Sequence, residues 1–203
     1  RSGAETLLIE KTGVVGGPAT NGLVGPFMTC FDPKGKHQII KGIFDEIVRR
    51  MEKRGGAIHP SKTGMVSEYG CWIKLRHNNV TPFEPECLKM VLTELLAEAG
   101  VTVVAVENNT IKELKAYDGN RYVNYSAKVF IDATGDALLS CKSGVPCVIA
   151  DVENELQPMT LFFWIYNADD DKIVRFLNQK EETKYLPYHD IIEEARENGE
   201  FQI

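Results

Sequence analysis

The stretch Thr6-Leu7-Leu8-Ile9-Glu10-Lys11-Thr12-Gly13-Val14-Val15-Gly16-Gly17-Pro18-Ala19-Thr20-Asn21-Gly22 passes from an apolar run, through an acid, into a glycine-rich loop. A short apolar run of this kind reads as a buried parallel strand. An acid at the carboxyl end of such a strand is placed to accept hydrogen bonds from two ribose hydroxyls. Taken alone, Glu10 is better explained as a carboxylate solvated at the sheet edge. In the loop, glycine permits positive φ and lets backbone N–H groups approach a pyrophosphate or a planar ring. A plain flexible turn uses the same residues, so a lone Gly-Gly carries little specificity.

Upstream, Arg1-Ser2-Gly3-Ala4 has the look of a last helical turn with Gly3 as its stop. Downstream, Ile40, Ile43, Phe44, Ile47, Val48 and Met51 share one face of a helix expected over 39–54, which Gly55-Gly56 ends. A second helix is expected over 85–99, with Pro85 at its first position and Leu88, Val91, Leu92, Leu95 and Leu96 as its apolar stripe. Gly100 stops it, and 101–106 reads as a strand. Segments 110–117 and 121–126 pattern as a hairpin around Asp118-Gly119-Asn120. Lys128 to Asp132 reads as a further buried strand, followed by a short helix from Ala137 to Lys142. A strand over 160–166 and helices near 169–179 and 188–198 complete the pattern. Alternating strands and helices with a small β insertion indicate a three-layer α/β domain.

The chain has 203 residues, 43% hydrophobic and 26% charged, which suits one domain or slightly more with a real core. A net charge of −6 argues against general binding to nucleic acid or to an anionic membrane. No apolar run approaches the roughly 18 residues of a membrane span. A reducing cytoplasm is the expected location. The five cysteines, Cys30, Cys71, Cys87, Cys141 and Cys147, are scattered and contain no Cys-x-x-Cys pair. Cys141 and Cys147, which straddle Gly144 and Pro146, read as two small buried hydrophobes beside a turn, with a redox pair as the weaker alternative. Cys30, His37, His59, Cys71 and His77 match no recurrent zinc spacing, so no metal site is expected.

The third candidate site is Asp132-Ala133-Thr134-Gly135-Asp136, where a buried strand meets a helix N-terminus. Such a junction offers N–H donors and a positive dipole end to an anion. Gly135 removes a side chain that would block close approach. Asp136 suits either an ordinary N-cap or a hydroxyl acceptor. The three sites gain weight together, because the carboxyl ends of parallel strands open on one crevice.

Glu10-Lys11 followed by Gly16-Gly17-Pro18-Ala19-Thr20-Asn21-Gly22-Leu23-Val24-Gly25-Pro26-Phe27 resembles the FAD-dependent oxidoreductase family of the glutathione-reductase type, in particular a bacterial branch with a Gly-Gly-x-Ala-Thr loop. The likeness continues in Glu84-Pro85-Glu86-x-Leu88-Lys89-x-Val91-Leu92, in Ile131 to Asp136, and in Leu156-Gln157-Pro158-Met159-Thr160. It implies FAD as cofactor and a three-layer Rossmann-like FAD-binding domain, incomplete at its N-terminus, with a small β insertion and the start of a substrate domain. The expected division is a partial FAD-binding domain over 1–150, a substrate-side insert over 31–84, and the beginning of a substrate or cap region over 151–203. By the same resemblance, Glu10, next to Lys11, holds the adenosine ribose. Gly16, Gly17, Ala19 and Thr20 line the pyrophosphate and flavin end, and Thr134, Gly135 and Asp136 lie near the pyrophosphate and ribityl chain. The strand near Asn109 passes the adenine. The family's Gly-x-Gly-x-x-Gly turn is not in the chain, which therefore reads as an internal fragment.

The expected activity moves hydride or electron pairs between a small organic substrate and the flavin. No catalytic acid or base is legible. His37, His59, His77 and His189 each read as solvated or capping side chains. Arg76, His77, Arg175 and His189 are the groups that could bind a substrate carboxylate. Two rival readings stay open. One is a non-catalytic, truncated α/β module that self-associates or needs a partner. The other, an NAD-only dehydrogenase, ranks lower because it gives no reason for the Gly-Gly-x-Ala-Thr loop or the Ala-Thr-Gly-Asp site.

Overall fold

The structure, a computed structural model, describes residues 3–28, 30–63, 79–105, 114–117, 121–148, 160–169, 171–173, 175–176 and 189–200. The chain divides into two units, residues 1–24 with 85–162, and residues 25–84 with 163–203.

The first unit opens with β1 (Leu7–Glu10), a strand where the apolar run predicts one, but not a buried one: Leu7 is exposed and Leu8 to Glu10 are half-buried. It pairs in parallel with β2 (Thr102–Ala105), in a register that sets Leu7 against Thr102 and Glu10 against Ala105. Parallel neighbours require a long crossover. Helix α3 (Pro85–Glu98) leads into β2, and it begins at the proline that the sequence places first. Pro85, Cys87, Leu88 and Val91 are buried, whereas Leu92, Leu95 and Leu96 are only half-buried. The predicted stripe is thus packed chiefly along its first half.

The predicted hairpin is present as β3 (Leu114–Tyr117) antiparallel to β4 (Tyr122–Tyr125), with Leu114 opposite Tyr125 and Tyr117 opposite Tyr122. Helix α4 (Leu138–Lys142) follows one residue later than expected. Two other expectations need correction. Residues 128–132 and 160–166 join no strand ladder among the described residues. Their apolar side chains stay open to solvent, Ile131 at 84% and Leu161 at 83% exposure. An apolar segment holds strand geometry only when neighbours satisfy its backbone groups and cover its faces. Cys141 and Cys147 are also not a pair of packed thiols, because they form a disulfide across six residues with Cα atoms 5.8 Å apart.

The second unit contains helix α1 (Ile43–Glu52) and the single turn α2 (Pro60–Thr63). Helix α1 begins at Ile43 rather than near residue 39; Val48 and Met51 on it are fully buried, while Ile43 at its start and Ile40 ahead of it are exposed. Phe27 stacks on Phe83 at a centroid distance of 4.2 Å and meets Phe44 edge-on at 5.6 Å. Isolated bridges join Phe27 to Thr81, Phe31 to Gln38 and Ala57 to Phe83. In the 163–203 part, helix α5 (His189–Glu197) matches the predicted 188–198 helix and buries none of its residues. Residues 171–173 and 175–176, inside the predicted 169–179 helix, are helical. Cys71, Arg76, His77, Asn109, the Asp118-Gly119-Asn120 turn and Leu156 to Met159 lie outside the described residues.

Candidate functional site

Glu10 ends β1 and holds the turn that follows it. Its Oε1 accepts hydrogen bonds from the Thr12 backbone N–H at 2.8 Å and the Thr12 hydroxyl at 2.9 Å. Oε2 carries no hydrogen bond among the described residues. The carboxylate is half-exposed, and Lys11 beside it is exposed.

The loop next turns into a single 3-10 turn, Gly17–Ala19. Gly16 adopts φ +109, and a Cβ there would collide with the Thr20 side chain, its Oγ1 only 2.8 Å away. Gly16 is therefore demanded by both backbone conformation and space. Gly17, at φ +52, has nothing within 4 Å of where a Cβ would stand, so its backbone faces open space. Ala19 is half-buried, and Thr20 is fully buried. The Thr20 hydroxyl lies 3.0 Å from the Val15 carbonyl and 3.2 Å from the Gly17 carbonyl. Its local work is to tie the loop to itself.

The 132–140 segment is organised by Asp132. Oδ1 accepts from the Thr134 backbone N–H at 3.0 Å and from its hydroxyl at 2.8 Å. Oδ2 accepts from the Ser140 backbone N–H and hydroxyl, both at 2.8 Å. Four donors on one carboxylate, the Ser140 and Thr134 amides foremost, hold Asp132 well below the ordinary carboxylate range. The Thr134 hydroxyl oxygen in turn accepts from the Leu138 N–H at 2.8 Å, satisfying a free donor at the start of α4. That residue acts as the cap, while Ala137 at the N-cap position makes no side-chain bond. Gly135, at φ +80, has open space around its missing Cβ, and Asp136 is exposed. A hollow of about 210 Å³ beside Asp132 is lined by Phe130, Leu139, Ser140, Ser143 and Val145.

Each of the three predicted sites is thus internally knit. No hydrogen bond among the described residues ties the 132–140 segment to the Glu10 turn or to the 16–20 loop.

The second unit holds a polar network that sequence reading does not anticipate. His59 is only 4% exposed, so of the solvated and capping roles expected of it only the capping one holds. Its Nδ1 accepts from the Ser61 N–H at 3.2 Å and lies 2.7 Å from the Ser61 hydroxyl. With Nδ1 serving as acceptor, Nε2 is the nitrogen that donates to Asp45 Oδ1, at 2.8 Å. Asp45 also takes Arg49 Nε at 2.6 Å, and the His59 and Arg49 bonds together lower its pKa to about 2. The Lys62 ammonium and the His59 backbone N–H pull Glu52 below its usual range. His59 therefore caps α2 with its ring and ties it to α1. The available signal was His59-Pro60-Ser61, a residue before a proline at a helix start. For Asp132 it was the Asp-x-Thr spacing of a side-chain-closed turn.

No curated protein and no solved structure matches the chain. The sequence pattern of one family does, over residues 1–202, and that span takes in the Glu10 turn, the Gly16-Gly17 loop and the Asp132 segment alike. By that match the chain belongs to the FAD dependent oxidoreductase family.

Proposed function

We propose that this chain supplies FAD contacts to an oxidoreductase acting on a small organic substrate. The observation that carries the proposal is the Asp132 hub, whose bonds fix Thr134 on one side and Ser140 on the other, with the Gly135 backbone between them bare. A bare, pre-set backbone at a helix start suits a phosphate or polyol. Open space at Gly17 and the uncommitted Oε2 of Glu10 fit the same cofactor. On this reading Glu10, next to Lys11, takes the ribose. Gly16, Gly17, Ala19 and Thr20 form the loop against the pyrophosphate and flavin end, and Thr134, Gly135 and Asp136 take the pyrophosphate and ribityl chain. When bound, the flavin supplies the electron-pair chemistry, and the chain's residues bind and orient it. The finer fold reading, a three-layer Rossmann-like domain over 1–150 with a 31–84 insert and a cap region from 151, rests on this assignment.

The test is the visible absorption spectrum after incubation with FAD and desalting. Retained flavin bands that fall at least about tenfold in affinity in Gly135→Val and Glu10→Ala, about 1.4 kcal/mol, support the assignment. A wild-type chain that keeps no flavin under conditions preserving its circular dichroism overturns it. The exposed Val129, Phe130 and Ile131 favour a second reading, a module that self-associates through this segment. Size-exclusion chromatography with and without FAD separates the two, since only the second expects a dimer that ignores the cofactor.

A further inference from the structure

The disulfide stands directly against the Asp132 hub. Cys141 follows Ser140, whose N–H and hydroxyl both bind Asp132, and Cys147 closes the short loop that carries Ser143 and Val145. Those two residues line the hollow beside Asp132. Both cysteines are only half-buried, unlike the buried thiols Cys30 and Cys87. A ring this short restricts the unfolded chain less than a long one does, so the bond contributes little as a staple for the whole unit. Its effect is local, holding the 143–147 segment against the end of α4, where the Val145 N–H also donates to the Ser140 carbonyl at 3.1 Å.

We propose that Cys141–Cys147 is a thiol-reducible clip that sets how firmly Ser140 holds Asp132. A glutathione-type thiolate attacks one sulfur and breaks the S–S bond, giving a mixed disulfide and one free protein thiolate, which takes up a proton. A second thiolate releases the other cysteine, which is protonated likewise. In sum, two small thiols are oxidised to one disulfide, and two electrons and two protons pass to the pair. Cys147 Sγ lies 3.3 Å from the Val145 carbonyl oxygen, so the new thiol finds an acceptor in place. With the clip open, the 143–147 segment leaves the hollow and α4 loses its anchor at the Ser140 end.

The full chain is equilibrated in glutathione buffers of graded potential, and alkylation at Cys141 and Cys147 is read by peptide mass spectrometry. Hydrogen exchange at the Ser140 amide is followed in parallel, together with the Cys141→Ser/Cys147→Ser double variant. The expected result is reversible reduction of this pair with circular dichroism unchanged, and Ser140 exchange on the order of tenfold faster in both the reduced protein and the variant. A pair that resists reduction until the chain unfolds overturns the proposal. So does a loss of the circular dichroism signal on reduction, or a Ser140 exchange rate that does not change.

Discussion

Asp45 and Asp132 show how much a single carboxylate organises in this chain. Asp45 joins α1 to the capped start of α2 through His59, and Asp132 joins the 134 turn to α4. Asp45→Asn removes the anionic acceptor from a buried imidazole, and we expect a loss of about 1–3 kcal/mol in urea unfolding. The pH dependence has the same origin. A carboxyl with a folded pKa of about 2, below its unfolded value, stabilises the fold at pH above roughly 4. That contribution fades as pH falls from roughly 4 toward 2. The urea midpoint should therefore drop across this window in the wild type and drop less in Asp45→Asn. Gly16→Ala tests the loop at the same scale. It combines positive φ with a clash against Thr20, and a cost of about 1–3 kcal/mol is expected from thermal unfolding.

Among the elements, α3 offers the clearest gradient. Leu88 is 2% exposed, whereas Leu96 on the same predicted stripe is half-buried. Leu88→Ala should cost about 2–5 kcal/mol, and Leu96→Ala less than half of that, measured by the same denaturant titration. Equal costs would mean the stripe is buried along its whole length. The period of the pattern identifies the helix and its inward face, but how far along the face packing extends depends on what lies opposite. The 128–132 segment makes the same point for strands. Lys128-Val129-Phe130-Ile131-Asp132 has the composition of a buried strand, yet it has no ladder partner among the described residues. Apolar composition states a preference for burial, and the ladder needs a neighbour.

For the whole molecule, membership of an FAD dependent family turns cofactor binding into a stability measurement. A ligand bound only by the folded chain stabilises it by about 2.7 kcal/mol at a hundredfold excess over Kd. FAD should raise the melting temperature in a concentration-dependent way, and Gly135→Val should blunt that rise. Among the described residues no helix is long and apolar enough to cross a membrane. The chain is organised as two units whose boundaries fall at 24/25, 84/85 and 162/163.

From the sequence alone one could read the β1 strand and its terminal acid, the glycine-rich loop after it, both long helices, the hairpin, and the family resemblance. These rest on local periodicity, turn chemistry and motif order, which the chain carries without reference to distant neighbours. Tertiary structure alone decided that Thr20 turns its hydroxyl inward, that His59 meets Asp45, that Asp132 gathers four donors, and that Cys141 meets Cys147. Each of those is a pairing across a fold or turn. A pairing depends on the direction in which two side chains are presented, and residue identity does not specify that direction.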